Sequence, residues 1–219
     1  MEKLQTILNW IPPLLEGAVV TISLTLLSVI AGLIGSLFLA LGKMSKNKAL
    51  NRASSAYVFF FRGTPLLMQL YFIYYGLPQI APWLTINNRF IAAFIAFGLN
   101  SAAYCAEIIR AAIQSIDKGQ FEAARALGMT YGQTMRLIII PQSFRRLIPP
   151  VGNEFIMVLK DASLVSIIAL SDITKITRSI SSSTGSALVY IPAMILYLII
   201  TGIFTLVFNK LEKKYSVYE

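Results

Sequence analysis

The stretch that decides the fold runs from Gly17 to Gly42, GAVVTISLTLLSVIAGLIGSLFLALG, and its 26 residues carry no charge. At roughly 1.5 Å of rise per residue, a helix of that length crosses the about 30 Å of hydrocarbon in a bilayer. The residues ahead of it, Met1-Glu2-Lys3-Leu4-Gln5, lack the basic segment of a signal peptide, and the apolar run is too long for a signal core. It reads as a retained membrane span. The rest of the chain agrees: its 219 residues are 56% hydrophobic and 13% charged, with a mean hydropathy of +0.69, too apolar for an ordinary soluble domain.

Working outward, apolar runs and turn signals give a single all-α transmembrane domain with five expected spans, at about 17–42, 58–79, 89–111, 151–170 and 188–208. Arg62 interrupts the second, so its start shifts toward Pro65 and leaves Tyr57 to Phe61 at the interface. The net charge of +9 does not point to nucleic acid, because its distribution is that of a multispan protein. Of the 19 Lys and Arg, four lie between Lys43 and Arg52, six between Arg110 and Arg146, and three between Lys210 and Lys214. Basic residues concentrate on the cytosolic side of membranes. The 43–53 loop, the 112–150 segment and the C-terminus are therefore expected in the cytosol, and the N-terminus outside.

The outer connections carry turn residues and little charge. One holds Gly76, Pro78 and Pro82, with Trp83 as an interfacial anchor; the other, Ser179 to Ser186, is Ser-rich and reads as irregular. No internal repeat is visible. Cys105 stands alone in an apolar helix, which excludes an intrachain disulfide and leaves it a packing role.

The long cytosolic segment is too structured for a plain loop. Lys118 to Leu127 has helical composition, with Phe121, Ala124 and Leu127 on one face and Glu122 and Arg125 on the other. Gly128 suits a left-handed cap, and Thr130 with Gln133 forms a capping box for a second helix running toward Pro141. Two short helices joined at a glycine make a knuckle that fits the cleft of a soluble partner.

Catalytic machinery is absent from the pattern. The chain has no His, which removes His-based acid–base chemistry and His metal ligands; no metal or catalytic set is expected. No Walker-type phosphate loop occurs, so ATP, if used, binds another polypeptide. Ionisable groups at membrane depth are costly and mark functional candidates. Glu154 and Asp161, seven residues apart, share a helix face; Asn153 and Lys160 repeat the spacing one step round, and Asn100, Tyr104 and Glu107 align on the third span. Converging, these faces offer carboxylates and amides to a polar or cationic solute. The structural alternative pairs Glu107 with Arg110, and Lys160 with Asp161 or Glu154. Arg62-Gly63-Thr64-Pro65 is either a gate or kink that frees backbone groups along a pathway, or an interfacial arginine beside a helix start. Met68 reads as packing, and Gln69 faces polar solute or a neighbouring helix.

The motifs together resemble the membrane-spanning permease subunit of ABC importers, in the polar amino-acid family that serves histidine, arginine, lysine and glutamine. That family's cytosolic signature is read here as Glu122-Ala123-Ala124, Gly128 and Ile138-Ile139-Ile140-Pro141, with Ile140 where the family has Leu. Phe61 to Leu67, Ala103 to Arg110, Gly152-Asn153-Glu154-Phe155 and Leu159 to Leu164 are similar to its other marks. The resemblance implies a type I five-helix core that dimerises with itself or a paralogue, an ABC ATPase subunit holding ATP and Mg, and an extracytoplasmic solute-binding protein. It implies that Glu122, Ala123, Ala124, Leu127, Gly128 and Pro141 belong to the coupling loop. Thr64, Gln69, Asn100, Tyr104, Glu154, Lys160 and Asp161 are the candidate substrate pathway. The acidic pair favours a cationic amino acid, against which Lys160 weighs. A channel or ion-coupled transporter is the rival reading, but it calls for inverted repeats that are not seen. A membrane-embedded enzyme is disfavoured by the missing His.

Overall fold

The uncharged run from Gly17 to Gly42 lies inside one helix, α1 (Glu2–Lys43), in a computed structural model that describes residues 2–215, with side chains from Gln5 onward. Three hydroxyls of this apolar helix are satisfied locally, Thr21 donating to the Gly17 carbonyl at 3.1 Å, Thr25 to Thr21 at 2.8 Å and Ser36 to Leu33 at 2.6 Å, whereas the buried Ser28 hydroxyl has no partner among the described residues. After a short turn, α2 (Lys48–Gly63) starts at Asn47, whose side chain accepts from the Ala49 and Leu50 amides. It ends at Gly63, and α3 (Leu66–Tyr71), a π turn at Phe72–Gly76 and α4 (Leu77–Ile80) continue at 102° to it. Then come α5 (Arg89–Gln114), α6 (Lys118–Ala126), α7 (Tyr131–Thr134), α8 (Ile140–Asp161), α9 (Ile173–Thr184) and α10 (Tyr190–Tyr215). No strand occurs among the described residues.

The main packing axis is α1 against α5, and small residues make it possible. A Cβ on Gly32 would meet Ser101 Cβ at 2.8 Å, and one on Gly35 would meet Ala102 Cβ at 3.4 Å. Between membrane helices, such close backbone approach supplies the van der Waals contact that burial from water supplies elsewhere. Leu24, Leu70, Phe97, Phe155 and Val165 fill the central core. Trp10, Leu14, Leu159, Ile173 and Val189 form a second cluster, and Ala40, Val58, Ala103, Ala106 and Ile109 a third. Val19, Ile34 and Phe38 on α1 and Met194, Leu198 and Leu206 on α10 face outward, an apolar exterior that suits lipid.

Among the described residues, three helices are long and apolar enough to cross a membrane: Gln5–Lys43, Arg89–Gln114 and Ala187–Tyr215. The bent pair Lys48–Gly63 with Leu66–Ile80 makes a fourth if it counts as one span. The segment expected at 151–170 differs from a single straight span. Its helix begins at Ile140 and stops at Asp161; a 3-10 stretch, Ala162–Ile168, follows and closes at Ala169 in the left-handed region with φ 57°.

Ser179 to Ser186 is not an irregular connection, as the serine content suggested. Residues up to Thr184 belong to α9, which Asp172 starts by accepting from the Thr174 and Lys175 amides, and which Gly185 ends with φ 65°. Thr177 returns its hydroxyl to the Ile173 carbonyl at 2.7 Å, so hydroxyl-rich sequence is compatible with helix here.

Candidate functional site

The site grows from the break between α2 and α3. Pro65 has no N–H and disfavours helical geometry at the residue before it, so Thr64 is extended, with φ −116° and ψ 146°. A helix that stops within a membrane leaves carbonyls without their partners, and each must be met inside the protein. Thr64 Oγ1 donates to the Phe60 carbonyl at 2.8 Å. Gln69 Nε2 lies 2.9 Å from the Phe61 carbonyl, 3.0 Å from the Thr64 carbonyl and 2.8 Å from Thr64 Oγ1. Asn100 Nδ2, from α5, donates to the same Phe61 carbonyl and to Gln69 Oε1, each at 3.0 Å. Two buried amides thus close the break and tie it to α5.

The break opens a cavity of about 330 Å³, lined by Arg62, Gly63, Thr64, Pro65 and Leu66, by Asn100 and Tyr104 of α5, and by Glu154, Met157, Val158 and Asp161 of α8. Five residues named from sequence as pathway candidates, Thr64, Asn100, Tyr104, Glu154 and Asp161, therefore meet in one hollow. Gln69 is buried behind the break and bonded to it. Lys160 is exposed, outside the lining, and no ion pair joins it to Glu154 or Asp161 among the described residues. Glu154 is buried and shares this lining with Asp161 and Arg62.

Glu107, one turn beyond Tyr104, lies outside this lining and collects cations instead. Arg110 holds it at 2.7 and 3.1 Å, Lys43 from the end of α1 bonds to its other oxygen, and Arg62 Nη1 lies 3.8 Å away. The pairing with Arg110 was visible at i, i+3; the arrival of Lys43 and Arg62 from two other helices was not. The Arg62 guanidinium also sits 5.1 Å from the Tyr104 ring centroid. Arg62 is the lining residue whose contacts sequence reasoning left open, although its position beside Gly63-Thr64-Pro65 marked the spot.

At the far end of α5, Asp117 caps α6 by accepting from the Gly119 amide at 2.6 Å. Gly128 adopts φ 76°, its amide donating to the Arg125 carbonyl at 3.0 Å and that of Met129 to the Ala124 carbonyl at 3.1 Å. Thr130 and Gln133 form a reciprocal capping box. Ala124 is buried, whereas Glu122, Ala123, Leu127, Gly128 and Pro141 are exposed. Leu127 is 81% exposed and so departs from the face shared with Ala124; with Tyr131 and Leu137, also exposed, it gives the knuckle an apolar outer surface. The second helix does not stop near Pro141. It runs without a break from Tyr131 through a π turn at Met135–Ile139 into α8, and Pro141, which cannot donate a backbone N–H, lies just beyond that π turn.

Apolar helices long enough to cross a membrane, a polar cavity at a broken helix and a structured knuckle at one end are the features that place this chain among membrane permeases once its relatives are considered. The chain belongs to the family described as binding-protein-dependent transport system inner membrane component, which matches residues 32–217. It is 39% identical over 205 residues to the arginine transport system permease protein ArtQ of Bacillus subtilis (strain 168), covering 93% of each chain. It is 42% identical over 209 residues to the L-cystine transport system permease protein TcyB of the same organism, covering 94% of this chain and 88% of the relative. Among solved structures it is similar to a chain of an amino acid ABC transporter crystallised with histidines, with a TM-score of 0.90, 41% identity, and 96% and 97% of the two chains covered.

Proposed function

We propose that this chain is the membrane-spanning subunit of an ATP-driven importer that translocates a polar amino acid, with a preference for cationic side chains, by alternating access. The observation that carries the reading is the cavity at the α2–α3 break, where two carboxylates, Glu154 and Asp161, face one guanidinium, Arg62. An amino acid carries both charges, and a basic one carries a second cation for the second carboxylate. Arginine, named for one relative, and the histidines in the solved amino acid transporter favour a basic solute, whereas cystine, named for another relative, supports only the wider amino-acid class.

In this reading the N-terminus lies outside and the 112–150 segment and C-terminus lie in the cytosol, in keeping with the basic segments. The α6 knuckle seats Leu127 and its exposed neighbours in a cleft of the ABC ATPase, which binds the ATP and Mg. A second permease subunit, this chain or a paralogue, completes the conduit, and an extracytoplasmic solute-binding protein loads it. Nucleotide binding shifts the population between inward and outward arrangements through the paired knuckles, because it favours one of them. The test is uptake into proteoliposomes holding the chain and its co-purified ATPase, with labelled arginine competed by a panel of amino acids. Competition by basic amino acids above neutral and acidic ones is the expected order. Equal competition by all, or none by any, would reject the substrate class.

A further inference from the structure

Arg62 and Tyr104 are shared by three separate hollows. They line the cavity described above; a cleft of about 490 Å³ with Glu107, Arg110, Ser115 and Arg146; and a cleft of about 530 Å³ with Lys43, Ser55 and Glu107. Glu107 borders both clefts but not the cavity. Ser115 and Arg146 lie within the 112–150 segment and Lys43 ends α1, so the clefts lie on the side proposed to be cytosolic.

We propose that Arg62, laid over the Tyr104 ring and tethered to Glu107, is the inner barrier of the solute route, a partition between cavity and clefts that opens when the arginine side chain swings away. The inference rests on the reading of the cavity as a solute route. Four features make Arg62 the moving part. Its contact to Glu107, at 3.8 Å, is longer than that of Arg110 at 2.7 Å. Lys43 and Arg110 keep Glu107 paired after Arg62 leaves. The Arg62 side chain is 43% exposed, and it stands beside Gly63, around which an added Cβ would meet nothing within 4 Å. Glu154 lines the same cavity as Arg62 and presents an acidic group on that side, so the guanidinium has an acidic residue to turn to in either position. Two arrangements of similar satisfaction are what a gate requires.

The experiment labels a cysteine inside the cavity from the cytosolic face. Met157→Cys in a Cys105→Ala background places a thiol in the lining, in full-length protein in inside-out membrane vesicles. Rates are compared for an anionic and a cationic impermeant methanethiosulfonate reagent. Arg62→Ala is expected to raise both rates at least tenfold. Tyr104→Ala, which removes the other half of the partition, is expected to do the same, while Tyr104→Phe, keeping the ring, stays near the parent. Rates unchanged in both alanine variants overturn the barrier. So does a rise for the cationic reagent matched by a fall for the anionic one, which would reveal a charge effect alone. Labelling needs no transport, so a failed solute reading shows as absent uptake with the labelling gain intact.

Discussion

Asn100 on α5 and Gln69 on α3 share a hydrogen bond of 3.0 Å, and both amides reach the Phe61 carbonyl that the end of α2 leaves open. The pair is what allows a helix to stop at membrane depth beside a cavity. A buried carbonyl without a donor costs about 1–3 kcal/mol. Gln69→Leu and Asn100→Leu are each expected to lower the melting temperature in detergent. The double variant should lose less than the sum, because the two share a partner and each other. Strict additivity would show that the amides act independently.

Glu107 is the common partner of Lys43, Arg62 and Arg110. Glu107→Gln leaves three cations without their carboxylate, two of which, Lys43 and Arg110, hydrogen-bond to it, and hydrogen bonds to charged groups are worth about 1.5–3 kcal/mol each. A thermal melt should fall, and added salt should recover part of the loss by screening the remaining like charges. A melt unchanged at low salt would mean that the cluster holds nothing together.

Two helical glycines should respond with opposite signs. Gly32→Ala drives a methyl to 2.8 Å from Ser101 at the α1–α5 contact, an overpacking that costs about 1–3 kcal/mol. Gly202→Ala on α10 meets nothing within 4 Å and should stabilise by about 0.5–1 kcal/mol through lost chain entropy in the unfolded state. Melting curves of the two variants in one detergent decide it.

What was legible in the sequence was local. The Gly128 cap, the Thr130–Gln133 box and the Glu107–Arg110 pair join residues within a few positions, so their chemistry reads directly from spacing. The shared face of Glu154 and Asp161 followed from helical period alone, and both line the cavity. The rest depended on contacts distant in sequence. Nothing near Gln69 shows that it will turn back to Phe61, nor anything near Lys43 that Glu107 lies 64 residues away in sequence but in contact. The helix α9 was hidden because its serines and threonines suggest a loop until Asp172 is seen capping it and Ile173 is seen buried. Leu127 lies just past the end of α6, as a cap residue with φ −81° and ψ 7°, so the face that holds Ala124 stops before it and Leu127 is left exposed.

Asp161 lines the cavity but is exposed within it, so its neutralisation should alter solute preference more than folding. Asp161→Asn is expected to reduce uptake of a basic amino acid several-fold more than uptake of a neutral analogue. Equal losses for both would assign the carboxylate to structure. The readout is initial uptake rate for the two solutes in the same vesicle preparation.

The central claim is that energy enters this chain through the α6 knuckle from a partner ATPase. It is tested most directly by accumulation of labelled arginine in proteoliposomes containing the chain and its ATPase, with and without ATP, for the parent and for Leu127→Asp. The parent should accumulate the label above the outside concentration only with ATP. Leu127→Asp, which plants a charge on the exposed apolar surface of the knuckle, should fall to the level seen without ATP while its melting temperature holds. Equilibration of the label without ATP, or full accumulation by Leu127→Asp, would contradict the account.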